Sequence, residues 1–272
     1  QQLYEGVELG SEGSIGLITY MRTDSVNLSQ KFLSEAQELI NKDFGKKYSL
    51  EKPRSYQNKN KGAQEAHEAI RPSDVFRTPE SVKEFLSPQQ YKLYDLIWRR
   101  AVATQMTEAR LNKTTIDIVN LQSEIQNLKS IYTFRANGQT MVFDGWLKLY
   151  PGMIDEEILP ELQINDPLNC QELKPEQHFT EPPARYSDAT LIKTLEEYGI
   201  GRPSTYAPTI ATIENRDYVE RDDNKRLYPK AIAFVVNDLL VEHFPQIVDY
   251  KFTAQMEENL DDIAEGKKDW QP

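Results

Sequence analysis

The spacing of apolar residues changes twice along the chain, and no other feature constrains the fold as strongly. In residues 1–106, apolar residues recur at the three-to-four spacing of an amphipathic helix. Residues 107–185 instead contain alternating and β-branched runs that Pro-Gly and Pro-Pro pairs interrupt. Helical spacing returns in residues 186–272. The sequence therefore predicts an α+β fold that is mainly α, with a β-rich segment between two helical ones.

The first segment is expected to be a nearly complete helical domain. Residues 1–9 have the pattern of the end of a helix, and a strand is expected to end at Tyr20. Either Ser29 or residues 23–25 can cap the helix that follows. Helices are predicted over residues 31–41, 81–85 and 88–106. In the last of them, three apolar residues are predicted to point inward: Leu93, Ile97 and Val102.

A polar loop rich in Lys, Asn and Gln is predicted over residues 42–64. Two tyrosines, Tyr48 and Tyr56, lie among its cations. Such a mixture suits a track for single-stranded DNA, where cations meet phosphates and rings stack on bases. A solvated loop without a ligand explains the same composition equally well.

The middle segment is expected to form several antiparallel strands up to about residue 185. Residues 114–119 alternate between apolar and polar, and residues 131–134 are rich in β-formers. Between adjacent strands a tight turn is needed, and Asn137-Gly138 has the composition of one.

The last segment predicts a helix, a turn, a second helix and a hairpin in that order. Ser187 is expected to cap the first helix and Ser204 the second, with residues 199–203 as the turn. Residues 218–229 have the pattern of the hairpin. Two further helices are predicted over residues 231–243 and 254–265. This order is typical of a winged-helix-like (CAP-like) DNA-binding unit, and an αα-hairpin beside an unrelated β-hairpin is the alternative.

Tyr20 and Arg22 are the pair of side chains with the clearest chemical potential. A phenol that attacks a phosphodiester needs help, because its ordinary pKa of about 10 keeps it protonated at neutral pH. A permanently charged arginine two positions later can stabilise both the phenolate and the phosphate. From this pairing alone, a tyrosine that packs its ring at a strand end is the more ordinary interpretation.

Four motifs occur in order along the chain: ITYMRTDS at residues 18–25, AQEAHEAIRP at 63–72, FDGW at 143–146 and GIGRPSTY at 199–206. In wording and order they resemble the bacterial type IA DNA topoisomerases, and the resemblance covers nearly the whole chain. It implies the central region of such an enzyme. In that region the tyrosine-bearing domain, part of a β-rich arch and part of a DNA-binding helical domain follow one another.

The resemblance implies an isomerase that cuts and rejoins one DNA strand through a 5′-phosphotyrosine and relaxes negative supercoils without ATP. It makes Tyr20 the nucleophile, with Arg22 and His67 as its catalytic partners. Contacts with DNA are implied for five further residues: Arg71, Arg202, Ser204, Thr205 and Arg216. The expected partner is DNA, mainly single-stranded, in the bacterial cytoplasm.

The family holds Mg²⁺ in an acidic cluster on a Toprim domain, and the sequence shows no βαβ pattern that carries such a cluster. Glu65 and Glu68 lie beside His67, but without a second histidine or acid at ligand spacing they are weak metal candidates. We therefore expect a fragment that has the nucleophile, has no metal site of its own and is inactive alone.

Charge and composition limit the choice further. The net charge of −11 is unfavourable for binding phosphates, but the acidic excess lies mainly after residue 110. No apolar run approaches the roughly 20 residues of a membrane span, and the single Cys170 suits a reducing compartment. The composition does not define an oligomeric state. A noncatalytic winged-helix protein that binds single-stranded DNA, with a structural Tyr20, is the alternative function.

Overall fold

The computed structural model of the chain describes residues 1–23, 25–56, 68–119 and 132–271. The predictions that concern His67 and residue 131 lie outside these ranges. The described residues divide into two compact units, the first within residues 1–173 and the second from residue 174 onward. Both are helix-rich with small two-stranded sheets, which agrees with the α+β class.

In the first unit, two long helices accompany several short elements. The helices are α1 (Gln2–Glu5), α2 (Gln30–Asp43), α3 (Pro79–Val82) and α4 (Pro88–Thr104). The strands pair antiparallel, β1 (Val7–Glu8) with β2 (Ser14–Ile15) and β3 (Arg110–Val119) with β4 (Thr133–Phe143). Short 3-10 turns cover Gly10–Glu12, Lys46–Tyr48, Lys83–Phe85 and Gly145–Leu149. The helix predicted for residues 1–9 is only partly correct, because the chain leaves α1 after Glu5.

Helix α2 confirms the prediction from local sequence. Its N-cap is Ser29, whose side-chain oxygen accepts a hydrogen bond from the Phe32 amide at 3.3 Å. Four apolar residues at helical spacing are buried in the core of the first unit: Phe32, Ala36, Leu39 and Ile40. Because both the cap and the spacing are local signals, this helix could be predicted without knowledge of the rest of the chain.

Helix α4 forms where predicted, but the prediction that Leu93 points inward is wrong. Leu93 is 48% exposed, whereas its neighbour Tyr94 is fully buried. The buried stripe follows Tyr94 and Trp98, four residues apart, because each ring finds a partner for its polar atom. The Tyr94 hydroxyl donates to the Arg77 carbonyl at 2.7 Å, and the Trp98 indole donates to the Val75 carbonyl at 2.8 Å. Val102 is buried as predicted.

Within the described residues of the β-rich segment, the regular strands form one long ribbon, β3 with β4. The turn predicted at Asn137-Gly138 is wrong, since Gly138 lies inside β4 opposite Thr114. A Cβ at Gly138 would come within 2.6 Å of the Glu157 carbonyl oxygen, because residues 139 and 157 form a β-bridge there. This glycine therefore permits a close backbone approach. Residues 158–186 contain no helix or strand.

The second unit has the predicted order of helix, turn, helix and hairpin. Its helices are α5 (Asp188–Glu197), α6 (Pro203–Asn215), α7 (Ala231–His243), α8 (Pro245–Val248) and α9 (Tyr250–Ala264). Its strands are β5 (Val219–Arg221) and β6 (Leu227–Pro229), which pair antiparallel. The hairpin and α7 confirm the prediction. Helix α9 begins four residues earlier than predicted, because Asp249 caps it by accepting from the Lys251 amide at 2.9 Å.

Of the two helix caps predicted in this unit, the one for α5 is confirmed and the one for α6 is wrong. Ser187 caps α5, with its oxygen accepting from the Thr190 amide at 3.3 Å. Ser204 does not cap α6, because the helix begins one residue earlier at Pro203 and its N-cap is Arg202. Proline is pre-set for the first helical position, and the Arg202 amide donates to the Thr205 hydroxyl oxygen at 2.9 Å.

Candidate active site

The segment that carries Tyr20 is held in place by residues that follow His67 in the chain. The Thr19 amide donates to the Arg71 carbonyl at 2.9 Å, and the Ser73 amide donates to the Leu17 carbonyl at 2.9 Å. The Thr19 hydroxyl also donates to the Ala69 carbonyl at 2.8 Å. The structure thus brings the first two sequence motifs into direct contact.

The strand predicted to end at Tyr20 is shorter than predicted and ends at Ile15. Regular pairing covers β2 alone, and beyond it the chain makes one isolated bridge, between Ile18 and Pro72. Because proline has no N–H to donate, it interrupts the ladder at this point. Tyr20 lies two residues beyond the bridge, and Leu17 and Ile18 before it are buried.

Tyr20 is exposed on this braced segment. Its side chain is 46% exposed, and its ring packs edge-on against that of Tyr4, with 5.3 Å between centroids and 64° between planes. Arg22 is partly exposed two positions later. Tyr20 is therefore exposed at the end of a segment whose residues 17–19 are held by backbone hydrogen bonds. The third catalytic candidate, His67, lies outside the described residues.

Arg71, which was expected to contact DNA, lies in an internal network. It is 9% exposed, and its guanidinium donates to the Glu68 carboxylate at 2.6 Å, to the Ser29 hydroxyl at 3.1 Å and to the Pro72 carbonyl at 2.9 Å. The guanidinium also lies over the Phe32 ring at 5.2 Å. Through these contacts, Arg71 joins the start of α2 to residues 68–72.

Glu68 completes this network from the other side. Its carboxylate accepts from the Ser29 amide at 2.6 Å in addition to the Arg71 guanidinium. Burial acts to raise the pKa of Glu68, but the hydrogen bonds from Arg71 and Ser29 outweigh it and hold the pKa below its usual value. The only signal for this pair in the sequence is a weak one, a glutamate three positions before an arginine.

The predicted DNA-binding residues of the second unit lie at the two ends of α6. The Arg202 guanidinium donates to the Gly201 carbonyl at 2.7 Å and to the Asp261 carboxylate of α9 at 2.5 Å. Arg216 is exposed at the C-cap of the helix. Thirteen residues at about 1.5 Å each separate the two arginines by roughly 20 Å.

The N-terminus of α6 offers fewer free donors than an ordinary helix. Pro203 has no N–H, and the amides of Thr205 and Tyr206 donate to the Arg202 carbonyl at 2.8 and 3.2 Å. Ser204 and Thr205 are exposed. A phosphate at this end would therefore be bound mainly by side chains, and less by the free amides that helix N-termini usually offer to anions.

The described part of the chain contains neither a candidate metal cluster nor a candidate membrane-spanning helix. In that part, no three His, Cys, Asp or Glu side chains lie together in a way that could hold a metal ion. Among the same residues, no helix combines the length and the apolar character that crossing a membrane requires.

Comparison with known proteins identifies the family. The profile described as DNA topoisomerase matches residues 1–272. A DNA topoisomerase 1 of Rickettsia felis is 47% identical over 99% of this chain and 34% of its own length. One of Helicobacter pylori is 45% identical over 100% of this chain and 35% of its own.

The structure of full-length topoisomerase I from Thermotoga maritima superposes with a TM-score of 0.78 and 37% identity, over 99% of this chain and 42% of that one. The chain thus spans about a third of the length of the curated relatives. Its motifs, its fold and these matches agree with one another. The chain belongs to the bacterial type IA DNA topoisomerase family.

Proposed function

We propose that the chain is the central part of an enzyme that relaxes negatively supercoiled DNA by cutting and rejoining one strand, with Tyr20 as the nucleophile. The observation that carries this proposal is the exposure of Tyr20 on a backbone segment that hydrogen bonds hold rigidly. A nucleophile must be accessible to a polymer and yet fixed in orientation, and this segment meets both conditions.

The proposed chemistry exchanges one phosphodiester for another. The Tyr20 oxygen attacks the phosphorus, a 5′-phosphotyrosine bond forms, and the bond to the 3′ oxygen breaks. The proton of the phenol is transferred away, and the leaving 3′ oxygen takes up a proton to become a hydroxyl. Rejoining reverses these steps. Since the covalent link conserves the free energy of the broken bond, no ATP is needed.

Arg22 is proposed to stabilise the phosphate and the developing phenolate, because a guanidinium stays charged at any relevant pH. His67 is proposed as a phosphate contact that also assists proton transfer, and Glu68 and Arg71 fix the segment that follows it. Arg71 itself remains a proposed DNA contact, although its internal hydrogen bonds favour a structural role.

The Mg²⁺ of the family is proposed to bind outside this chain, on a Toprim domain. Among the described residues, no acidic side chains lie together in a way that could hold the ion. The β3–β4 ribbon is proposed as part of an arch that lets the tyrosine domain move away for strand passage. The second unit is proposed to bind single-stranded DNA that leads towards the tyrosine.

The proposal is tested by trapping the covalent intermediate. A full-length enzyme that contains this chain is mixed with a 5′- or 3′-labelled single-stranded oligonucleotide and Mg²⁺, then denatured with detergent. We expect the DNA on the 3′ side of the break to stay attached to a peptide that contains Tyr20. An adduct on another residue would contradict the assignment. The absence of any adduct would favour a noncatalytic DNA-binding protein.

The 272-residue chain alone is expected to leave supercoiled DNA unrelaxed in the presence of Mg²⁺. The reason is that the metal-binding part of the active site lies elsewhere in our proposal. Agarose gel electrophoresis of plasmid topoisomers measures this directly, with a full-length relative as the positive control. Relaxation by the isolated chain would show that its own residues complete the site.

Arg216→Ala in the 272-residue chain is expected to weaken the binding of single-stranded DNA without dependence on sequence. An exposed cation that neutralises one phosphate contributes about 0.7 to the slope of log affinity against log salt concentration. We expect fluorescence anisotropy titrations at several salt concentrations to show that slope reduced by this amount. The control is Lys193→Ala, which removes an exposed cation from α5. Equal slopes for the wild type and Arg216→Ala would exclude the contact.

A further inference from the structure

Tyr4 is in ring contact with the proposed nucleophile, and neither composition nor motif wording had singled it out. The two rings meet edge to face, with 5.3 Å between centroids and 64° between planes. Both side chains are substantially exposed, Tyr4 by 40% and Tyr20 by 46%. The pair therefore lies at the surface, where burial in the core cannot account for a fixed arrangement of the rings.

The backbones that carry the two rings are joined at short range. The carbonyl oxygen of Leu3 accepts from the Leu17 amide at 2.7 Å and from the Ile18 amide at 3.2 Å. Leu3 is 3% exposed and anchors α1 in the core of the first unit. This double acceptor fixes the residue before Tyr4 to the segment that ends at Tyr20.

Gly16 allows this close approach. A Cβ at Gly16 would lie 2.5 Å from the Tyr4 carbonyl oxygen, a distance that real Cβ atoms do not reach. Any larger residue at this position would push α1 away from the segment with Tyr20. The glycine thus keeps the Tyr4 ring within reach of the nucleophile.

The χ1 angle of a tyrosine decides where its hydroxyl lies, because the side chain occupies discrete rotamers about this bond. An edge-to-face aromatic neighbour shifts such a rotamer equilibrium by about 2- to 12-fold. An attacking group reacts only from the correct orientation. The rate of attack therefore changes by the same factor as the population of the reactive Tyr20 rotamer.

We propose that Tyr4 is a positioning residue for DNA cleavage, whose ring holds the Tyr20 side chain in the rotamer from which the hydroxyl attacks phosphate. The role belongs to the aromatic ring and not to the Tyr4 hydroxyl. It rests on the proposed function of Tyr20.

The contact itself is tested in the 272-residue chain by NMR with ring-labelled tyrosine, the Tyr20 signals being assigned from the spectrum of Tyr20→Phe. Tyr4→Leu is expected to move the Tyr20 ring signals, because the ring current of its neighbour is lost, whereas Tyr4→Phe keeps them near their original positions. The matched control is Tyr150→Leu. Tyr150 forms a similar edge-on pair with Trp146 in the same unit, at 5.7 Å and 73°. If the Tyr20 ring signals do not move in Tyr4→Leu, the proposal is overturned.

The catalytic consequence is tested in the full-length enzyme under single-turnover conditions with saturating oligonucleotide. Tyr4→Leu is expected to slow formation of the covalent adduct by about 3- to 10-fold while DNA affinity changes less than about 2-fold. Tyr4→Phe is expected to cleave at nearly the wild-type rate, and so is Tyr150→Leu.

Two results in this assay would overturn the positioning role. Cleavage by Tyr4→Leu at the wild-type rate would show that the ring contact has no effect on attack. A rate for Tyr4→Phe as low as that for Tyr4→Leu would assign the effect to the hydroxyl instead. A wild-type enzyme that forms no adduct contradicts the proposed function itself, and the NMR measurement distinguishes that failure because it does not depend on catalysis.

Discussion

Tyr20→Phe in the full-length enzyme is expected to abolish covalent trapping of cleaved DNA, with a loss of roughly three orders of magnitude or more. Phenylalanine keeps the ring and its contact with Tyr4 but lacks the oxygen that would attack phosphorus. Noncovalent DNA affinity is expected to change little, because only one exposed hydroxyl is removed. Detergent-resistant labelled oligonucleotide measures the adduct, and fluorescence anisotropy measures the affinity.

The control for this substitution is Tyr150→Phe, which removes a hydroxyl from another edge-on aromatic pair of the first unit. It is expected to trap DNA as well as the wild type does. Trapping by Tyr20→Phe at wild-type levels would refute Tyr20 as the nucleophile. Loss of both trapping and DNA affinity would instead indicate that the tyrosine binds DNA without attacking it.

Local signals in the sequence were sufficient for several helices. Ser29 and the spacing of apolar residues defined α2, and Ser187 defined the start of α5, since caps and periodicity involve residues a few positions apart. Prediction failed where distant residues decide the outcome. Tyr94 takes the buried position beside Leu93 because its hydroxyl reaches the Arg77 carbonyl.

Tyr48 is a second residue whose environment depends on distant parts of the chain. It lies in the loop at residues 42–64, which was considered as a track for single-stranded DNA. It is 6% exposed, packs on Phe143 at 5.0 Å between centroids, and donates its hydroxyl to the Asp144 carboxylate at 2.7 Å. The hydrogen bond to Asp144 raises the pKa of Tyr48. Its ring is thus part of the fold and unavailable for stacking on a base. Tyr56, by contrast, is exposed.

For the candidate site, the motif at residues 18–25 pointed to Tyr20 and Arg22. The structure adds the hydrogen bonds that hold the residues just before Tyr20. The bonds that fix the segment join residues about 50 positions apart, such as Thr19 with Ala69 and Arg71. No periodicity or local spacing encodes such pairs. The motif at residues 63–72 was interpreted through His67 as a catalytic partner and Arg71 as a DNA contact. In the structure, its described residues 68–72 form hydrogen bonds with the segment before Tyr20 and with the start of α2.

Arg71→Ala is expected to destabilise this brace by about 2–4 kcal/mol, because it leaves the Glu68 carboxylate partly buried without its cation. Hydrogen exchange of the 272-residue chain measures the effect locally. Amides of α2 and of residues 17–19 are expected to exchange faster, in proportion to the lost stability. The matched control is Arg77→Ala, which breaks a pair with Glu12 at the same distance of 2.6 Å but at a more exposed site. It is expected to cost less than about 1 kcal/mol.

The pH dependence of stability provides a second test of the ion pair between Glu68 and Arg71. Since the folded-state pKa of Glu68 is lowered, its contribution is fully present above the unfolded value of about 4.3. It is lost as the pH falls through the lower, folded-state pKa. The stability difference between wild type and Arg71→Ala is therefore expected to be constant near neutral pH and to shrink below about pH 4. A difference that persists unchanged in acid would show that Arg71 stabilises the segment through packing on Phe32 and its other hydrogen bonds, and not through the carboxylate of Glu68.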